Sequence, residues 1–208
     1  MSDASSFPPD AFHRIDDDDD AQFYSFPRLV VHIDAGAIEA LGRLYAELVS
    51  SSGRVLDLMA SWRSHLPRSF AGRVVGLGMN GEEMADNPQI AEAIVHDLNR
   101  EPRLPFDAAV FDAALCAVSV QYLTRPVEVF REVRRVLRPA APFVVAFSNR
   151  CFPDKAVALW RMTSDEQHVT LVETYFALAG GFTDVARRVF EPAGGDPLFA
   201  VWAARSAA

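Results

Sequence analysis

Two cysteines in 208 residues, Cys116 and Cys151, are too few and too unpatterned for a disulfide scaffold. No CxxC pair occurs, and no cluster of His, Cys and Asp has the spacing of a metal site. Both sit in apolar or near-apolar surroundings, the setting of reduced, mostly buried thiols in a cytoplasmic protein. Charged residues make up only 23% of the chain against 50% hydrophobic ones, which excludes disorder overall. No run reaches the roughly 18 uninterrupted apolar residues of a membrane span. No basic segment followed by an apolar one opens the chain as a secretory signal would. With 20 bases against 28 acids there is no broad basic face, so no nucleic-acid partner is expected. No internal repeat and no catalytic triad are visible.

What charge there is lies unevenly. Residues 1–20 hold seven acids, including Asp16 to Asp20, and one base, Arg14, so most of the net charge of −8 belongs to this segment. Read locally, residues 1–22 are a disordered acidic tail, because like charges in a row repel and cannot collapse. The five adjacent carboxylates lack the spaced ligands and glycine turn of a calcium loop. The remaining residues, 23–208, have the length of a single domain, with 23–50 as an N-terminal cover segment and helix.

Ile38, Leu41, Tyr45 and Leu48 fall at helical spacing behind Asp34 as N-cap, with Ile33 and Ile38 placed as a hydrophobic staple. Five short apolar runs then read as buried strands: 54–58, 73–77, 93–96, 111–118 and 142–147. They are continuous rather than alternating, which suits a sheet covered on both faces. A helix lies between the last two, with Thr124 as cap, Pro126 in its first turn, and Val129, Phe130, Val133, Val136 and Leu137 on its apolar face. Ser164 and Gln167 form a capping-box pattern for a further helix that ends at Gly180-Gly181. Runs near 185–190 and 198–203, joined by a short loop, read as an antiparallel edge hairpin. The expectation is an α/β fold: a Rossmann-like open sheet, mostly parallel, with an antiparallel C-terminal edge hairpin and helices on both faces.

In such a sheet ligands bind beyond the carboxyl ends of the strands. The stretches to weigh are therefore 57–63, 78–82, 97–99, 117–122 and 148–150. Gly76 to Gly81 also spells GxGxxG, the dinucleotide fingerprint. Its context is missing, because the helix that should follow is interrupted at Asp86-Asn87-Pro88.

The block from Leu104 to Asn149 resembles class I S-adenosylmethionine-dependent methyltransferases, of the methyltransferase type 11 kind. Leu104-Pro105-Phe106, Phe111-Asp112 and Val136-Leu137-Arg138-Pro139 carry the likeness. Val55-Leu56-Asp57-Leu58 aligns with that fold's first strand and Val74-Val75-Gly76-Leu77 with its second. The resemblance implies S-adenosylmethionine as cofactor, facing Asp57, Met59 and Ser61, then Gly78, Met79 and Asn80, then Asp97 and Leu98, then Ala117. Two features depart from the family's pattern. Met59, Ser61 and Arg63 stand where glycines let the backbone approach the cofactor. Gly78 stands where an acid accepts both ribose hydroxyls, with Asn80 or Glu82 as the available replacements.

Two functions follow as expectations. One is methyl transfer to a small-molecule acceptor contacted by Tyr24, His32, Gln121, Tyr122 and Asn149, with no catalytic residue singled out. The alternative is a non-catalytic binding or scaffold protein that keeps the fold and has lost the cofactor. His65, Tyr122, Trp160 and His168 also have plain readings, as packing or surface residues. No metal and no membrane partner are expected.

Overall fold

The computed structural model describes residues 7–207. Seven strands, β1 (Arg54–Leu58), β2 (Arg73–Gly78), β3 (Ile90–Val95), β4 (Ala113–Ala117), β5 (Pro142–Phe147), β6 (Phe182–Phe190) and β7 (Leu198–Arg205), form one sheet in the order β3-β2-β1-β4-β5-β7-β6. The strands from β3 to β5 pair parallel, and β7 runs antiparallel to both β5 and β6. The C-terminal hairpin is therefore at one edge, as expected. Strand order reverses between β1 and β4, where the Rossmann-like class opens its ligand crevice.

Helices lie on both faces. On one, α2 (Ala35–Leu48) buries Leu41, Leu44 and Tyr45 against Val55, Val74, Leu115 and Val144 of the sheet. Asp34 caps it by accepting from the Ala37 amide at 2.8 Å. On the other, α4 (Pro126–Val136) and α6 (Asp165–Ala179) bury Phe130, Val133, Val172 and Phe176 against Phe143, Val145 and Val201. Ser164 and Gln167 form the reciprocal capping box, and Gly180 ends α6 at a φ of 67°, which glycine adopts without a Cβ clash.

Three local expectations are corrected. Thr124 does not cap α4: the N-cap is Arg125, and Thr124 instead donates its amide (2.8 Å) and hydroxyl (3.1 Å) to Asn99 Oδ1. The third strand begins at Ile90, before Ala93, and alternates in burial, because it lies at the sheet's edge and no helix follows it. The fourth begins at Ala113; Phe111 makes an isolated bridge to Leu137.

The acidic segment is the largest difference. Residues 1–6 fall outside the described chain, but residues 7–22 lie against the domain. Their backbone is fastened to the first residues of a short helix, α5 (Ala158–Arg161), by Ala158 N to His13 O (2.7 Å) and Leu159 N to Ala11 O (2.8 Å), and by Asp16 N to Asp154 O (2.9 Å). Phe7 and Phe12 pack on Tyr175. The chain's single lysine, Lys155, is 1% exposed and lies 3.0 Å from Asp16 and 3.1 Å from Asp20. Arg14 grips both Asp20 oxygens at 2.8 Å, and Asn99 donates to Asp20 Oδ2 at 3.0 Å. Two of the five adjacent carboxylates, Asp16 and Asp20, converge on a buried cation more than 130 residues away. A short helix, α1 (Asp20–Phe23), follows, capped by Asp19.

Candidate active site

The residues after β1, β2, β3 and β4 open into one cleft, and Tyr24, Arg28 and Val30 to His32 of the cover line it. It holds about 1150 Å³ of empty space, part of it open to solvent. All nine residues expected on the cofactor side line this cleft: Asp57, Met59, Ser61, Gly78, Met79, Asn80, Asp97, Leu98 and Ala117. On the acceptor side Tyr24, His32 and Tyr122 line it too. Gln121 and Asn149 do not. Gln121 is fully buried and spends its amide on the Val118 carbonyl at 3.0 Å. Asn149 is exposed beside Arg150, whose guanidinium pairs with Asp196 at 2.7 Å.

Asp57 ends inside the cleft, 3% exposed. Ser64 donates to its carboxylate and is itself held by Asn87 Nδ2 at 3.0 Å. Asp57 Oδ2 has no partner among the described residues. Burial pushes this carboxyl up to about 7, with the Ser64 bond opposing. Asp97, by contrast, uses Oδ1 to accept from the Asn99 and Arg100 amides, turning its own loop.

The loop after β1 explains both departures from the family pattern. Met59 keeps a φ of 54°, the left-handed conformation that glycine adopts freely. No helix follows; residues 59–72 run as an extended loop to β2. That loop crosses the end of β2 so closely that a Cβ on Gly78 would lie 2.1 Å from the Ala60 carbonyl oxygen. An acid cannot stand at position 78 because this backbone occupies its place.

Of the two acids that follow Gly78, Glu83 and not Glu82 lines the cleft. Asn80 caps α3 (Gly81–Ala85) by accepting from the amides of both, which leaves Glu82 exposed and turns Glu83 into the cleft wall. Glu83 accepts the Ser61 hydroxyl at 2.6 Å and the Arg28 amide at 2.6 Å. The position was readable from Asn80 as N-cap, but its inward direction depends on Ser61 and Arg28. Asn80 Nδ2 donates to Tyr24 O (2.9 Å) and Trp62 Nε1 to Val30 O (2.7 Å). Residues at or beside the altered positions thus fasten the cover. Arg63 stacks on Trp62 with its guanidinium 3.8 Å from the ring centroid.

An aromatic wall closes the cover side. Phe152 meets Tyr122 (6.0 Å), His32 (5.3 Å) and Phe23 (5.4 Å), and Tyr122 Oη accepts the Phe152 amide at 2.8 Å. His65, expected to be structural or exposed, instead lines the cleft. His168 and Trp160 do pack in the core, their rings stacked at 3.9 Å. The Cys116 thiol is pushed up to about 12 by burial, so it is no nucleophile. Among the described residues no group could hold a metal ion and no helix is long and apolar enough to cross a membrane.

Sheet order, crevice and strand-end carboxylate together define the class I methyltransferase architecture, whose cofactor is S-adenosylmethionine. Residues 52–145 match the family model described as a methyltransferase domain, and that segment is similar to the class I S-adenosylmethionine-dependent methyltransferases. Among solved structures it is similar to the PH0226 protein of Pyrococcus horikoshii, with a TM-score of 0.61, 19% identity, and cover of 89% of this chain and 99% of that one. An Archaeoglobus fulgidus S-adenosylmethionine-dependent methyltransferase gives 0.60, 15%, 83% and 95%. The [4+2]-cyclase SpnF gives 0.60, 15%, 82% and 82%. No curated protein matches the sequence. These identities carry the fold, and the cleft's own residues carry the rest. An orphaned carboxylate oxygen at the cleft, with apolar Leu98, Met79 and Val118 lining the same cleft, fits the cofactor.

Proposed function

We propose that the protein transfers a methyl group from S-adenosylmethionine to a small-molecule acceptor. The observation that carries this reading is Asp57 Oδ2: a buried carboxylate oxygen without a partner is costly unless a ligand supplies the missing hydrogen bond. When bound, the cofactor supplies an activated methyl on a sulfonium, so the protein's part is positioning and exclusion of water. Asp57 offers an acceptor to donor groups, Asp97 its second carboxylate oxygen, and Leu98, Met79 and Ala117 an apolar surface. Glu83, held by Ser61, takes the place of the acid absent at position 78. Tyr24 and His32 on the cover, with Tyr122, close the acceptor side. The lack of a basic face favours a small acceptor over nucleic acid. The two free thiols fit a cytoplasmic setting.

Calorimetric titration of the full chain with S-adenosylhomocysteine tests this. Saturable binding that weakens at least tenfold in Asp57→Asn supports it; no heat and no thermal shift refutes it.

A second reading, a binding protein that keeps the fold without the cofactor, draws on the close approach of Ala60 to Gly78 and on Glu83's existing bonds to the cover. The fold also carries other chemistry, as the name of the SpnF cyclase states. The same titration separates the two.

A further inference from the structure

Asp20 is the point at which the acidic segment meets the cleft. It lines the cleft together with Asn99 and Tyr122, yet it is only 6% exposed. A carboxylate has about four lone-pair sites, and all of Asp20's are spent inside the chain. Oδ1 accepts from Arg14 Nη1 at 2.8 Å and lies 3.1 Å from Lys155 Nζ. Oδ2 accepts from Arg14 Nη1 at 2.8 Å and from Asn99 Nδ2 at 3.0 Å. With nothing left on this carboxylate for a ligand, its effect on one passes through Asn99.

Asn99 is saturated in the same way. Its Nδ2 also donates to Tyr122 O at 3.0 Å, and its Oδ1 takes both the amide and the hydroxyl of Thr124. Its own amide donates to Asp97 Oδ1 at 2.9 Å. One side chain therefore ties the loop after β3, with Asp97 and Leu98, to the loop after β4, with Tyr122, and both loops line the cleft. Behind Asp20 the cations Lys155 and Arg14 face Asp16 and Asp20, Lys155 also donates to Asp18 O at 3.1 Å, and Arg14 reaches the exposed Asp17 at 3.3 Å. A buried charge left without its partner is strongly destabilising, so this cluster holds or opens as a whole.

We propose that Asp20 is a positioning residue for the cofactor site, through which residues 7–23 become part of that site. The docked segment holds Asp20, Asp20 holds Asn99, and Asn99 fixes the loops after β3 and β4 against each other. This rests on the cleft taking S-adenosylmethionine and not on what receives the methyl group. Coupling of this kind is reciprocal: a docked segment that favours the ligand is favoured by the ligand to the same factor.

Ala158 and Leu159 report that factor. As the first amides of α5 they have no partner within the helix, and they donate instead to His13 O and Ala11 O of the segment. Neither residue lines the cleft. Their exchange with solvent is expected to run faster than that of β5, as local opening of the segment does.

The test uses the full chain, with S-adenosylhomocysteine binding first measured by calorimetry. Saturating S-adenosylhomocysteine is expected to slow exchange at Ala158 and Leu159 by about tenfold or more. A segment that only braces the fold would show no such response. Unchanged exchange at these two amides in the saturated wild type overturns the proposal by itself, whether or not any variant folds. Asp20→Asn and Lys155→Met, compared below their melting temperatures, are each expected to lower S-adenosylhomocysteine affinity by about tenfold or more. The double variant is expected to bind no worse than the weaker single one, because both act through one cluster. Wild-type affinity in either variant, or losses that multiply in the double one, also overturns it. A wild type that gives no heat with S-adenosylhomocysteine removes the cofactor reading and this proposal with it, whereas binding without the exchange response removes this proposal alone.

Discussion

Asp57 and His65 pull the stability of the free protein in opposite directions over one pH window. The Asp57 carboxyl is raised from 3.8 to about 7, so between those values the folded state holds a proton the unfolded chain releases. Its contribution falls as pH rises through the window and is fully lost above about 7, by at most about 4 kcal/mol at 1.36 kcal/mol per unit. His65 is lowered from 6.5 to about 4, so there the unfolded chain binds the extra proton. Its contribution rises with pH over nearly the same range. Asp57→Asn should therefore leave a melting temperature that climbs more steeply from pH 4 to 7 than in wild type, and His65→Asn one that falls over that interval. Thermal melts at fixed ionic strength check both signs. Met59→Gly belongs here as well. It removes the left-handed strain at a site whose conformation already suits glycine, and should stabilise the protein by up to about 1 kcal/mol, the cost of glycine's extra freedom in the unfolded chain included. Gly78→Asp, although it restores the family's residue, should destabilise and not improve cofactor binding, because the Ala60 carbonyl stands where its Cβ would go.

At the level of elements, apolar runs were easy to read and side-chain partners were not. The strands 54–58 and 142–147 and the capping box at Ser164 follow from residues within a few positions of one another. All nine strand-end residues meet in the cleft because topology alone puts strand ends together. Gln121 fails for the opposite reason: it follows β4, but the 3-10 turn Val120–Tyr122 rolls its side chain inward. The acidic segment fails because charge counted locally omits Lys155. That lysine gives the segment its most direct test. Removing one member of a buried ion pair costs about 3–5 kcal/mol, and Lys155→Met leaves Asp20 with Arg14 and Asn99 and Asp16 with the Asp18 amide. Lys155→Met should lower the melting temperature and open residues 7–23 to limited proteolysis. The surface pair Arg43–Glu39, broken as a control, should do neither, since exposed pairs contribute under about 1 kcal/mol.

For the whole molecule, hydrogen bonds join the cover to the loop after β1 and to α3 at the cleft. Trp62 to Val30, Glu83 to the Arg28 amide and Asn80 to the Tyr24 carbonyl each join the cover to a cleft wall. A ligand that fills the cleft beneath the cover stabilises only the folded, closed form. By linkage, S-adenosylhomocysteine at a hundred times its dissociation constant should add about 2.7 kcal/mol to unfolding. If the closure is one unit, that gain should appear as slower amide exchange in residues 24–32 as well as in β1 and β2. Trp62→Phe, which removes the indole donor to Val30 and keeps most of the ring, should leave the gain in β1 and β2 and lose it in the cover. It should also speed release of the ligand. Protection confined to β1 and β2 in wild type would mean that the cover is fastened independently of the site, and that the residues standing in for the family's glycines serve the fold rather than the ligand.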